Sequence, residues 1–170
     1  MTHDRGPLLR WVLLVSTAYL LQLGLVVDLS FFGVHPDLML LVAATAGLAA
    51  GPERGAVVGF GAGLLVDLVL QGPLGTTALA YAVVGFGAGT VGESVMRTSR
   101  AISVGIVTAA SAVGTLLYAA LAHLLGQRTL SDPRLWRIVA IVAVCNAALC
   151  IPALAASRWA EGTGLRSGVG

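Results

Sequence analysis

Few side chains in this sequence could do chemistry, and Asp67 is the most conspicuous of them. Its carboxylate falls in the last turn of an apolar run from Gly55 to Leu70. Both lipid and the negative end of a helix dipole disfavour a carboxylate there, so something must compensate. The nearest donors are the backbone N–H groups of Leu74, Gly75 and Thr76, which open the next apolar run after Gly72-Pro73. A helix N-terminus is a ready anion site. The preferred reading is that Asp67 clamps the turn around Pro73 and Gly75, with a ligand or partner contact as the alternative. Pro36 and Asp37 open another apolar run: Pro suits a first helical position, and Asp in a first turn opposes the positive dipole end. Glu93, four residues before Arg97, reads as an ordinary i,i+4 pair.

The remaining candidates point away from catalysis. His123 has no second His or Cys at metal-ligand spacing. Cys145 and Cys150 lie five apart on one apolar run, about 500° of helix rotation, so they point apart and read as packed free thiols. Thr108, Ser111, Thr115 and Tyr118 recur at steps of three and four, a stripe of hydroxyls on one helix face. Such a stripe bonds to its own carbonyls or to a neighbouring helix; a polar ligand groove is the other reading. Asn146 and Pro152 suggest a polar contact and a kink. The string Gly59-Phe60-Gly61-Ala62-Gly63 fails the dinucleotide fingerprint, because Leu64 stands where a glycine is needed and no strand precedes it. All the Lys+Arg residues, ten of them, are arginine, which rules out Schiff-base and P-loop lysine chemistry. A net charge of +2 gives no reason to invoke nucleic acid. No catalytic set, metal site or cofactor site emerges.

The elements that must position these residues are apolar throughout. The chain has 170 residues, 57% hydrophobic and 11% charged, with a mean hydropathy of +0.91. A soluble domain carries roughly 25% charge, so this composition belongs in lipid. Six runs follow: Leu8 to Val27, Pro36 to Ala50, Gly55 to Leu70, Thr76 to Val95, Ala101 to Leu125, and Leu135 to Ser157. The second and third are short for a span of ~20 residues. The first is too long for a signal peptide, and no small-residue cleavage site follows it. The expected fold is an all-α membrane protein with six transmembrane helices over residues 1–161. A glycine-rich, disordered tail is expected over 162–170. Arginines crowd the ends that would be cytoplasmic if the N-terminus is inside, which predicts both termini in the cytoplasm; the fifth connection, with Arg128, Arg134 and Arg137, is the exception. Trp11, Trp136 and Trp159 fall where interfacial belts belong.

Glycine supplies the densest pattern. Gly55, Gly59 and Gly63 fall every fourth residue, and Gly85 and Gly89 repeat the step, a spacing that lets neighbouring helix backbones approach closely. The octet AVVGFGAG occurs at 56–63 and again at 82–89, in adjacent spans that run in opposite directions. Composition alone could produce the match; a duplicated packing face is the alternative.

The order of these motifs resembles the MreD family of bacterial rod shape-determining membrane proteins. It runs from Pro36-Asp37-Leu38 through the Gly51 to Gly55 turn and the glycine-rich span ending Val66-Asp67-Leu68. Gly72-Pro73-Leu74-Gly75 and a second glycine-rich span follow. In length and span number the resemblance covers essentially the whole chain, and its specific part is residues 36–89. It implies a six-span inner-membrane protein, similar in fold to the substrate-binding components of energy-coupling-factor transporters. It also implies a non-enzymatic part in the cell-elongation complex, supporting lateral peptidoglycan synthesis and cell shape. The implied partners are MreC directly and, through the complex, MreB, RodA and a class B penicillin-binding protein, with membrane lipid around them. Pro36, Asp37, Gly55, Gly59, Gly63, Asp67, Pro73, Gly75, Gly85 and Gly89 are the residues expected to build the structure or meet a partner. The competing readings are a vitamin-binding substrate component and a lipid-handling enzyme. The first would dock its coupling subunit through an Ala-x-x-x-Ala face on span one, yet Ala18 is alone there. The second finds no catalytic set.

Overall fold

Each apolar stretch saturates its own backbone hydrogen bonds by folding as a single helix, the only local solution for a chain segment in hydrocarbon apart from a closed barrel. The computed structural model describes residues 5–28, 36–69, 74–95, 99–127, 129–130 and 132–162. Its helices are α1 Arg5–Asp28, α2 Leu38–Ala50, α3 Pro52–Val69, α4 Thr76–Ser94, α5 Arg100–Leu124 and α6 Leu135–Glu161, with no strand among the described residues. The class and the number of helices are those expected from the sequence. Pro73, Leu70, Arg97 and residues 163–170, on which several expectations fell, lie outside the described residues.

Two boundaries move. Pro36 does not occupy a first helical position: α2 starts at Leu38, and Asp37 is its N-cap, with Oδ1 accepting from Leu40 N–H at 3.0 Å. That bond satisfies a donor which no helical carbonyl can reach. α3 in turn starts at Pro52 rather than at Gly55, since proline tolerates a first helical position and Glu53 suits the first turn.

The helices alternate in direction and define two ends. The first end carries the starts of α1, α3 and α5 with the finishes of α2, α4 and α6; the second end carries the rest. α1, α5 and α6 are long and apolar enough to cross a membrane, over Gly6–Gly24, Arg100–Leu124 and Leu135–Glu161. α2 is different. Its 13 residues reach about 20 Å, short of a hydrocarbon core of about 30 Å. It is apolar on every side, and such a helix belongs in the interior. It packs against all five others. Met39, Leu40, Ala43, Ala44, Thr45 and Ala46 are fully buried on it. The outer helices keep their large apolar side chains for lipid, as at Leu8, Leu9, Leu20 and Leu21 of α1 and Trp136 and Val144 of α6.

Candidate functional site

The inner triad of α2, α3 and α4 is built on glycine. A methyl carbon placed on Gly63 would stand 2.5 Å from Ala78 Cα, and one on Gly89 would stand 2.5 Å from Pro52 Cα. On Gly55 and on Gly85 it would overlap the other's helix backbone, and on Gly59 it would overlap the Tyr81 carbonyl. Gly47 of α2, which the sequence pattern did not single out, meets Gly85 and Gly89 in the same way. The two copies of AVVGFGAG use their glycines identically. The outer pair of each octet, Gly59 with Gly63 and Gly85 with Gly89, turns inward onto a backbone, whereas the middle glycines, Gly61 and Gly87, have nothing within 4 Å. The repeat is thus a packing face used twice, in antiparallel register.

At the second end of this triad lie the two carboxylates. Asp67, buried in the last turn of α3, accepts from Gly75 N–H at 2.8 Å through Oδ2. Oδ1 accepts from Thr77 N–H and Oδ2 from Ala78 N–H, both at 3.2 Å. Gly75 takes a left-handed backbone, φ +94°, to start α4 and point its N–H back at the acid. Gly75 is one of the expected donors, and Thr77 and Ala78 in the first turn of α4 donate as well. Asp37 holds the start of α2 through Oδ1 and accepts the hydroxyl of Tyr81 on α4 through Oδ2. Gln22 of α1 accepts from Met39 N–H at 3.1 Å, so α1 also caps α2. Sequence reading missed Tyr81 and Gln22. Both reach across to elements remote in the chain, and no local spacing announces that.

Elsewhere the interior contains short polar pairs. Ser157 Oγ of α6 donates to Thr45 Oγ1 of α2 at 3.0 Å, and Thr45 in turn donates to Leu41 O at 2.9 Å. Asn146 Nδ2 donates to Ser111 Oγ at 2.9 Å, joining α6 to α5. The hydroxyl stripe on α5 therefore divides: Thr108 and Thr115 bond back to the carbonyls of Val104 and Ser111, while Ser111 serves the neighbouring helix. Asn146 Oδ1 and Thr77 Oγ1 are buried without a hydrogen-bond partner. His123 Nδ1 lies 3.1 Å from the Gln127 carbonyl, at the end of α5. Cys145 and Cys150 are free thiols.

The first end is tied differently. Trp11 is 4% exposed and donates through Nε1 to Glu161 Oε2 at 2.9 Å, which corrects its reading as a belt residue. The indole lies against α6 because its N–H finds a carboxylate there. Arg54 Nε approaches the same oxygen at 3.6 Å, and the Arg10 guanidinium sits 5.6 Å from the Trp159 ring centroid. Trp136 and Trp159 are 71% and 45% exposed, as belt residues should be.

Two apolar grooves open toward lipid. One, about 440 Å³, runs between α4 and α5 and is floored by small residues, among them Gly87, Ala88, Gly105, Ala109 and Ala110. The other, about 360 Å³, lies between α1 and α3 around Gly61, with bulkier walls from Leu8, Val12 and Leu65. No group of three or more His, Cys, Asp or Glu that could hold a metal occurs among the described residues. The described carboxylate bonds of Asp37 and Asp67 cap a helix, close a turn or, at Tyr81, tie α4 to the start of α2.

Membrane-length outer helices around a glycine-packed inner triad define an integral membrane protein, in which carboxylates position helices. The model of one family, the rod shape-determining protein MreD, matches residues 4–132, and the chain belongs to that family. Membership gives it a part in rod shape determination. Neither a curated protein nor a solved structure matches. The likeness to energy-coupling-factor substrate components therefore has no solved structure behind it.

Proposed function

We propose that this chain is a non-enzymatic component of the bacterial cell-elongation complex, seated in the cytoplasmic membrane with both termini inside. There it binds MreC, supports lateral peptidoglycan synthesis, and through the complex meets MreB, RodA and a class B penicillin-binding protein. The family supports the setting. The observation that carries the binding role is the groove between α4 and α5. Gly87 and Gly105 both lack any neighbour within 4 Å of a built Cβ, and the walls are almost wholly apolar. In lipid, helices associate by close backbone approach at small residues, since no hydrophobic force drives them together. A membrane helix of MreC fits such a floor better than the bulkier groove between α1 and α3. The test is co-purification of the full chain with MreC from detergent extracts. The parent is expected to retain MreC, and Gly87→Leu combined with Gly105→Leu to lose most of it while accumulating normally. MreC recovery unchanged by the double variant would place the contact elsewhere, and no recovery with the parent would overturn the binding role itself.

A further inference from the structure

Thr77 is 2% exposed, and its Oγ1 is without a hydrogen-bond partner. A buried hydroxyl left unpaired is costly, and a threonine within a helix often turns it back onto a carbonyl of the preceding turn. Thr45, Thr108 and Thr115 do so here. Thr77 is the second residue of α4 and has no helical turn before it.

Helix geometry fixes what this hydroxyl faces. Tyr81 is four residues on and Val84 seven, so all three share one face of α4. A methyl carbon on Gly114 of α5 would meet Val84 and, from α2, Leu40, so this face is turned toward α2 and α5. Tyr81 gives its hydroxyl to Asp37 at the start of α2. Helix side chains lean toward the N-terminus, so the Tyr81 ring lies over the turn that holds Thr77 and brings the Asp37 carboxylate to it. The Thr77 N–H in turn donates to Asp67 Oδ1 at 3.2 Å. The unpaired hydroxyl thus stands between two carboxylates from different elements, Asp37 before α2 and Asp67 of α3.

The two carboxylates face the starts of α2 and α4, and each helix start offers only about +0.5 of a charge, so close to one negative charge is left over. In a bundle surrounded by lipid such a remainder is expensive. Among the described bonds, Asp67 Oδ1 and Asp37 Oδ2 each accept one hydrogen, and a carboxylate oxygen has room for about two. Asp67 and Thr77 are buried while Asp37 is half-buried, which leaves an approach on the Asp37 side. Carboxylate and hydroxyl oxygens are ligands for hard cations, and a remainder of one charge suits a monovalent ion rather than a divalent one.

We propose that this junction of α2, α3 and α4 holds one monovalent cation, with Thr77 Oγ1 and the carboxylates of Asp37 and Asp67 as its ligands. Thermal unfolding of the full chain in detergent tests this, in sodium chloride and in choline chloride at equal ionic strength and neutral pH. Sodium is expected to raise the midpoint along a saturating curve, by roughly 3–6 °C at ten times its Kd. Thr77→Val, which keeps the shape and removes the oxygen, is expected to lose most of that rise, and Thr77→Ser to keep it. Equal midpoints of the parent in the two salts overturn the proposal, and so does an undiminished rise in Thr77→Val. If acidification in choline chloride raises the midpoint as far and sodium then adds nothing, the balancing charge is a proton and the proposal falls. Should Thr77→Val fail to fold, Thr77→Ala replaces it, and the sodium and choline curves of the parent still decide.

Discussion

A single carboxylate shows how much a residue can govern in a chain with little charge. Asp67 receives three backbone N–H groups from the first turns of the following helix, one of them from Gly75 in a left-handed conformation. Asp67→Asn keeps the shape but removes the charge and replaces one accepting oxygen by a donor. Hydrogen bonds to charged groups contribute roughly 1.5–3 kcal/mol each, so a loss of about 2–3 kcal/mol is expected. It would be read as a lower unfolding midpoint in detergent and less folded protein in the membrane. If Asp67→Asn accumulates and melts like the parent, the turn does not depend on the clamp. A smaller effect is expected at Ser111, which accepts from Asn146. Ser111→Ala leaves an amide whose oxygen already lacks a partner without its donor contact too. About 0.6 kcal/mol, and at most roughly 1.7, is the range for such bonds in membrane bundles. A double-mutant cycle with Asn146→Ala separates the pair from the packing around it. Asp67 was legible from sequence because a charge stands out against an apolar run. The Asp37–Tyr81 bond was not, since it joins residues 44 positions apart on helices separated by α3.

Among the elements, α2, α3 and α4 form the rigid part, and the glycine repeat offers a matched comparison within one motif. Gly85→Ala drives a methyl into the Gly55 backbone, which cannot give way as a flexible side chain can. Overpacking of this kind costs typically 1–3 kcal/mol. Gly87→Ala, two residues on, meets nothing within 4 Å, and alanine is the better helix former by up to about 1 kcal/mol. Thermal unfolding in detergent is therefore expected to separate the pair, with Gly85→Ala lower and Gly87→Ala equal or higher. Two equal shifts would mean that the octet is compositional after all. The stripe of glycines at every fourth position was readable because helical geometry fixes which face it forms. Which neighbour that face meets was not, and neither was Gly47 as the third contributor. The central place of α2 had a signal that spacing analysis passes over: a short helix with no polar side has nowhere to go but inward. Its shortness looked like a marginal span, yet in the bundle it follows from being enclosed.

For the molecule as a whole, the start of α1 and the finish of α6 share one end of the bundle, since Trp11 bonds Glu161 there. The described arginines of the connection between α5 and α6 lie at the opposite end, as does Gly126. With the proposed orientation, Gly126→Cys is expected to react with a membrane-impermeant maleimide added to intact cells, and Glu53→Cys only after lysis. The native thiols, Cys145 half-buried and Cys150 buried in α6, leave the introduced cysteines as the more reactive targets. The reverse labelling pattern would invert the bundle without altering its fold. The Trp11–Glu161 bond also sets a clock. It spans 150 residues, and at synthesis rates of roughly 5–20 residues per second its second partner follows the first by about 8–30 s. Throughout that interval the first helix is held to the bundle by its Gln22 bond to α2 and its packing on α2 and α3, without the Trp11 tie. The tie between α1 and α6 thus forms only once α6 is made, and a message cut short before Glu161 yields a protein whose first helix keeps its Gln22 bond to α2 but lacks the Trp11 bond.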